Sequence, residues 1–169
     1  TDFADSSFDV AVGNVPFGNY QLADVKYDQY HFLIHDYFFA KAIDKVRAGG
    51  ILAFVTTKGT LDKENSTLRL YLAKRADLIG AIRLPNNAFM ETANTQVTTD
   101  ILFLQKREIM TTEEPEWLFI GKDENGIPVN EYFLSHPQMV LGEMVFDKSM
   151  YGNVKLTSCK PFEGKDLGE

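Results

Sequence analysis

Cysteine, histidine and long apolar runs are scarce in this sequence, and each scarcity excludes a class of protein. A single cysteine, Cys159, among 169 residues rules out an internal disulfide framework and suits a reducing cytoplasm, the expected location. The three histidines and Cys159 lack the spacing of metal ligands, so no metal site is expected. No apolar run is long enough to span a bilayer, and we expect no membrane partner.

Positive charge is also in deficit. The sequence has 17 lysines and arginines against 24 acidic residues, which gives a formal net charge of -7. Proteins that contact DNA usually present a basic surface, so this balance argues against DNA binding by this chain alone. It does not exclude DNA, because the basic surface can lie in another domain. With 169 residues and 44% hydrophobic content, the chain can bury one sizeable core.

The most informative feature is the tetrapeptide Asn14-Val15-Pro16-Phe17, which ends an apolar run and precedes Gly18. The Asn14 side-chain oxygen and a nearby backbone carbonyl can both accept hydrogen bonds from one planar amino group. Pro16 stiffens the turn because its ring fixes φ, and Phe17 offers a face on which a base can stack. An ordinary turn after a strand has the same composition, so the tetrapeptide alone leaves both interpretations open.

Hydrophobic patterning predicts an α/β fold. The nearly continuous apolar run from Phe8 to Gly13 predicts a buried parallel strand, followed by a polar loop over 19–30. Apolar residues spaced by three, four and seven predict a helix from about His31 to Ala48, which Gly49-Gly50 would end. Ile51 to Thr56 then predicts a second buried strand. Strand, helix and strand in this order form a βαβ unit, and so a parallel sheet.

The pattern repeats once further along the chain. Asn65 or Ser66 is expected to cap a helix that runs to about Ala76. Strands are predicted from Leu78 to Arg83 and from Thr99 to Gln105. The irregular segment over 84–98 is long enough to indicate a functional loop.

From Thr111 the composition changes to an acidic linker. Beyond it, Trp117 to Ile120 predicts a short strand and 123–126 predicts a turn. We therefore divide the chain into 1–110, which holds the α/β pattern, and 111–169, a weakly patterned appended segment expected to extend over the core.

These segments together resemble a known family. Phe8 to Gly18 resembles motif IV, the Asn-Pro-Pro-(Tyr/Phe) signature of N6-adenine DNA methyltransferases, and the likeness continues to Arg107. The resemblance is greatest to the type I modification-subunit branch and to phage or mobile-element proteins that join such a methylase to a helicase. The segment from Tyr132-Phe133 to Gly142 is similar to a further stretch of the helicase-linked group. Val15 departs from the pattern, since it stands where the family has its first proline, but it still supplies a carbonyl.

The resemblance implies a partial Rossmann-like S-adenosylmethionine-dependent methyltransferase sheet, with parallel strands plus a C-terminal antiparallel strand. The family binds S-adenosylmethionine with a Gly-rich loop after its first strand, and this sequence contains no Gly-x-Gly. We therefore expect the N-terminal strands and most of the cofactor half of the site to be missing, so that the chain is a fragment, inactive in isolation. The implied partners are DNA, bound through the parent protein, the missing N-terminal half and a helicase domain.

The resemblance also implies roles for single residues around a flipped adenine. Asn14 and the carbonyl of residue 15 would bind the amino group, Phe17 would stack on the base, and Phe89 would be a second aromatic closing on it. A core-facing Phe17 and a Phe89 tucked under the sheet are the structural alternatives. The implied cofactor contacts are Asn14, Asp2 and Phe3.

Three further residues lie at strand ends or in loops, on the side where ligands collect in open α/β sheets. Lys58, Arg83 and Asn86 are therefore candidate contacts to DNA phosphates. The alternative is that they are solvated polar side chains that bind no ligand.

Three function classes fit these observations. The first is transfer of methyl from S-adenosylmethionine to adenine N6 in DNA. The second is methylation of a protein glutamine amide, which related enzymes perform with the same loop. The third is a non-catalytic scaffold, which Val15, the acidic charge and the absent Gly-rich loop favour. Arg83-Leu84-Pro85 and the segment from Thr99 to Gln105 favour DNA.

Overall fold

A computed structural model describes residues 3–89, 97–147 and 156–164. One four-stranded sheet and two small hairpins account for its strands. The elements in chain order are β1 (Phe8–Asn14), α1 (Ile34–Lys45), β2 (Val46–Thr57), α2 (Gly59–Asp62), α3 (Thr67–Arg75), β3 (Ala76–Leu84), β4 (Thr99–Lys106), β5 (Ile120–Lys122), β6 (Pro128–Asn130), α4 (Glu131–Ser135), β7 (Glu143–Asp147) and β8 (Leu156–Lys160). None of the helices among the described residues combines the length and apolarity needed to cross a bilayer.

The main sheet has the strand order β1-β2-β4-β3. β1 pairs in parallel with β2, and β4 is antiparallel to both β2 and β3. β3 therefore runs in the same direction as β1 and β2, with β4 inserted between β2 and β3. The mixed sheet confirms the predicted fold class, a set of parallel strands with one C-terminal antiparallel strand.

Helix α1 is shorter than predicted and ends for a different reason. It spans Ile34–Lys45, and β2 begins at the next residue, Val46, whose backbone is already extended. The prediction that Gly49-Gly50 would end the helix is wrong, because both glycines lie inside β2. Gly49 has a φ of 76°, and the register between β1 and β2 shifts at this point. The glycine pair thus allows the backbone conformation that the irregular pairing between β1 and β2 requires.

Strand β1 forms as predicted, but the expectation that it is buried is wrong. Val10 and Val12 are exposed, and Val12 reaches 76%. Within the described residues, β1 pairs only with β2, so it is an edge strand of this sheet. An apolar run predicts a strand that can be buried, but it does not identify the elements that would pack against that strand.

A single cluster of buried side chains joins the main sheet to residues beyond 111. It includes Phe39 and Leu102 from the α/β pattern and Trp117, Val129 and Phe133 from the later segment. Trp117 lies in a 3₁₀ turn, Glu116–Leu118, so the strand predicted from Trp117 to Ile120 is wrong except for its last residue. The predicted turn over 123–126 is confirmed, because the Gly126 amide donates to the Asp123 carbonyl at 3.0 Å.

Asp44, near the end of α1, holds the loop between β1 and α1 against the helices. Its Oδ2 atom accepts hydrogen bonds from the hydroxyls of Tyr27 and Tyr71, each at 2.8 Å, and lies 2.7 Å from the Lys26 ammonium. Burial, followed by the hydrogen bond to Asp44, raises the pKa of both tyrosines, which keeps them protonated as donors. The loop that follows Phe17 is therefore tied to the core.

Candidate active site

The carboxyl ends of β1, β2 and β3 lie along one edge of the sheet, because the three strands run in the same direction. Asn14 is the last residue of β1, Lys58 follows β2, and Asn86 comes two residues after β3. This edge is where open α/β sheets bind their ligands. The structure thus places three of the residues predicted from sequence along one edge.

The tetrapeptide 14–17 forms a turn anchored on β2. Asn14 is level with Val55, and the Val15 amide donates to the Val55 carbonyl at 3.0 Å. The Val15 side chain is 3% exposed and packs in the core, whereas Asn14 and Pro16 are exposed. Phe17 is 50% exposed, so the alternative of a core-facing Phe17 is wrong.

Two oxygen acceptors at this turn have no hydrogen-bond donor among the described residues. Over residues 3–89, 97–147 and 156–164, nothing donates a hydrogen bond to the Asn14 side chain or to the Val15 carbonyl. The chain after Phe17 is packed closely, since a Cβ at Gly18 would lie 2.6 Å from the Tyr20 ring. The turn therefore holds two unpaired acceptors, one on the exposed Asn14 and one on the buried Val15, next to an exposed aromatic ring. A planar amino group that reached both acceptors could donate to them.

Arg83 is not at the surface, contrary to the prediction of a solvated residue that contacts phosphates. It is 0% exposed, with Nε and Nη2 each 2.8 Å from an oxygen of Asp100 and Nη1 2.7 Å from Asp62. Its guanidinium carbon lies 4.3 Å from the centre of the Phe133 ring. Burial alone would lower the pKa of Arg83, but Asp100 and Asp62 together raise it. Arg83 thus holds β3, β4 and α2 together, and no surface of it is available to DNA.

Two residues that the sequence analysis did not select connect Lys58 with Asn86. The Lys58 amide donates to the Thr98 carbonyl at 3.1 Å, and the Cys159 amide donates to Thr98 Oγ1 at 2.8 Å. The Asn86 amide then donates to the Cys159 carbonyl at 2.7 Å. The backbone of Cys159 is thus part of this edge. No local pattern in the sequence signals these contacts, because Thr98 and Cys159 are 61 residues apart.

The remaining predicted residues fall in different places. Phe89 ends the described part of the loop after β3 and is partly buried, and residues 90–96 of that loop lie outside the description. Phe3 packs against Phe8 with ring centroids 5.2 Å apart, at the start of β1 and so at the opposite end of the strand from Asn14. The expectation that Phe3 and Asn14 both contact the cofactor stays a prediction. Asp2, the other predicted cofactor contact, lies outside the described residues.

Comparisons with known proteins give one family-model match and one curated relative. A family model described as N-6 DNA Methylase matches residues 1–135. Defense against restriction protein B of Escherichia phage P1 is 31% identical over 112 residues, which is 64% of this chain and 5% of that protein. The chain therefore corresponds to a small part of this relative's length.

Two solved structures share the fold. A Listeria monocytogenes protein, assigned as a class I S-adenosylmethionine-dependent methyltransferase, is 19% identical with a TM-score of 0.50, covering 68% of this chain and 36% of its own. A modification subunit assigned to a type I restriction enzyme of Vibrio vulnificus YJ016 is also 19% identical with a TM-score of 0.50. That match covers 79% of this chain and 31% of the subunit.

Proposed function

This chain belongs to the N-6 DNA methylase family, and from that membership we propose that it carries the amine-binding half of a site that methylates adenine N6 in DNA. The observation that carries the proposal is the pair of acceptors that no described residue donates to, Asn14 Oδ1 and the Val15 carbonyl, next to the exposed Phe17 ring. S-adenosylmethionine supplies an electrophilic methyl group on a sulfonium when bound.

The acceptor pair explains how a weak nucleophile is activated. The lone pair of the adenine amino nitrogen is delocalised into the ring, so the amine attacks poorly. Hydrogen bonds from its two N–H groups to Asn14 and Val15 draw the nitrogen toward a tetrahedral geometry and free the lone pair. The turn needs no strong base for this step, because it acts through position and electrostatics. Pro16 restricts the backbone of Val15, and with it the direction of the Val15 carbonyl.

Phe17 supplies the surface for the base. Enzymes that modify a base take it out of the duplex, and an exposed aromatic ring stabilises the extruded base by stacking. Phe89 is proposed as the second aromatic, on the loop after β3. Lys58 and Asn86 are proposed as contacts to the DNA backbone along the same edge.

We further propose that the chain is part of a larger methyltransferase and is inactive alone. The support is the exposed edge of β1, together with the small share of the solved relatives that the chain covers. The residues present fit the amine side of the site, whereas the sequence holds no Gly-x-Gly loop for S-adenosylmethionine. Strands outside this chain would complete the cofactor site, and a helicase domain is a further proposed partner. Residues 1–110 would be the catalytic portion and 111–169 the appended segment.

The experiment uses the larger methyltransferase proposed above, called the parent protein below. Transfer of labelled methyl from S-adenosylmethionine is followed to DNA and, in parallel, to a glutamine-bearing protein. We expect adenine to be labelled, and Asn14→Ala to reduce labelling by at least about 100-fold, as for other polarising groups in active sites. Asn125→Ala, in an exposed turn, is the matched control.

Label on glutamine would move the function to the protein-methylating class. No label on either acceptor, from a folded protein that binds S-adenosylmethionine, would favour a scaffold. Val15 and the net charge of -7 are the observations that favour the scaffold.

A further inference from the structure

The ends of β2 and β3 are connected by a chain of three hydrogen bonds, which we call the Thr98–Cys159 bridge. It runs from the Lys58 amide to the Thr98 carbonyl, from the Cys159 amide to Thr98 Oγ1, and from the Asn86 amide to the Cys159 carbonyl. We propose that this bridge is a positioning device that sets the spacing of Lys58 and Asn86 for the DNA backbone. This inference rests on the proposed function, because it assigns DNA to that edge.

No direct pairing between β2 and β3 fixes this spacing. β2 and β3 are not neighbours in the sheet, because β4 lies between them. Regular pairing ends at Thr57 with Thr99 on one side and at Leu84 with Thr99 on the other. Lys58 and Asn86 both lie beyond these last pairs, so their positions depend on contacts outside the sheet. The bridge supplies those contacts.

The bridge lies where hydrogen bonds are difficult to replace. Thr98 is buried, and Cys159 is fully buried. An amide that loses its partner in such a place keeps the full cost of desolvation, since no water can take over the hydrogen bond. Small displacements of Lys58 or Asn86 are therefore resisted, which matters because misplacement by about 1 Å is enough to slow a positioned reaction.

The appended segment contributes Cys159 to the bridge, and that segment is attached to β3. Cys159 lies in β8, opposite Met144 of β7. Just before β7, the Leu141 amide donates to the Arg83 carbonyl at 2.9 Å. Gly142 approaches β8 so closely that a Cβ there would lie 2.2 Å from the Lys160 carbonyl oxygen and 2.7 Å from Cys159 Sγ. The β7–β8 hairpin is thus fixed against the end of β3, and it holds Asn86 and Thr98 from there.

A pair of substitutions tests the bridge with little change in volume. Thr98→Val removes the acceptor of the Cys159 amide, and Thr98→Ser keeps it. In the full-length parent, hydrogen exchange is measured at the amides of Asn86, Cys159 and Leu102, and steady-state kinetics of DNA methylation are measured on the same variants.

For Thr98→Val we expect exchange at Cys159 to be about tenfold faster, as for the loss of one buried hydrogen bond. Exchange at Asn86 should rise with it, because the Asn86 amide donates to the Cys159 carbonyl. Exchange at Leu102, inside β4, should stay unchanged, which a general loss of stability would not allow. The KM for DNA should rise about fivefold with kcat within a factor of two, and Thr98→Ser should restore both. Gly142→Ala, which displaces β8 from the other side, should give the same pattern.

Unchanged exchange at Asn86 in Thr98→Val would overturn the bridge. Faster exchange with an unchanged KM for DNA would overturn its positioning role. Absence of methyl transfer by the wild-type parent would overturn the proposed function instead, and the exchange rates would still decide whether the bridge exists.

Discussion

Arg83 and Asp100 face each other across adjacent antiparallel strands, and two parallel nitrogen–oxygen contacts of 2.8 Å join them without access to solvent. Asp62 Oδ2 accepts a hydrogen bond from Arg83 Nη1, and Asp62 Oδ1 accepts one from the Asn130 backbone amide at 3.0 Å. The network therefore reaches from the sheet into the segment beyond residue 111. Its geometry makes it a structural element of the candidate site rather than a contact to substrate.

Asp100→Asn should lower the free energy of unfolding by about 3 kcal/mol, because it leaves the buried Arg83 charge only partly compensated. Urea unfolding followed by the fluorescence of Trp117, the one tryptophan of the sequence, measures the change. Asp77→Asn breaks the exposed pair with Arg107 and is the control, with an expected loss of less than about 1 kcal/mol. Equal losses in the two variants would contradict this account of the network.

Phe17→Ala should reduce kcat/KM for DNA in the parent protein by roughly 5- to 100-fold, the range expected for loss of one base-stacking ring. The melting temperature should hardly change, because the ring is half exposed and packs little. Phe17→Tyr keeps the stacking face and should retain most activity. A large drop in melting temperature with Phe17→Ala would show instead that the ring has a packing role.

Cys159 should resist thiol reagents in the native chain across the alkaline range. Burial raises the pKa of its thiol to about 12. The reactive thiolate is therefore rare until the pH is well above 9, the pKa of this thiol in the unfolded chain. The unfolded chain releases this proton first, so the contribution of this thiol to stability should fall as pH rises from about 9 toward 12. Labelling rates at pH 8 and 9.5, with and without urea, test the prediction. Fast labelling of the folded chain at pH 8 would contradict it.

The exposed edge of β1 should promote self-association of the isolated chain, since unpaired strand edges recruit other strands. Val12→Lys places a charge on that edge at a position already 76% exposed, so folding should be unaffected. Sedimentation velocity over a range of concentrations should show fewer oligomers for the variant. Lys122→Ala, a substitution on a distant hairpin, should leave the association as it is.

The order and type of the main elements could be predicted from the sequence, because they depend on local periodicity. β2, β3 and β4 contain the segments predicted for them, and α3 lies within the helix predicted to run to about Ala76. The sequence predictions are wrong where a residue type suits more than one local structure. Gly49-Gly50 suits a helix end as well as an irregular strand, and only the pairing with β1 decides between them.

The candidate site divides in the same way. Asn14 and Phe17 could be selected because their roles depend on a short turn at the end of one strand. Arg83 was misjudged because its partners, Asp62 and Asp100, come from other elements. Thr98 and Cys159 could not be selected, since their contact joins residues far apart in the chain and involves a backbone amide that every residue possesses.

The insertion of β4 between β2 and β3 has a consequence for synthesis on the ribosome. When residue 84 has emerged, β2 and β3 are both complete, yet they share no ladder and each presents an unsatisfied side. The sheet closes only after residues 99–106 have followed and entered the gap. A nascent chain paused over 85–98 would therefore hold two strands ready for incorrect pairing, and we expect this interval to be the stage at which chaperones matter most to its yield.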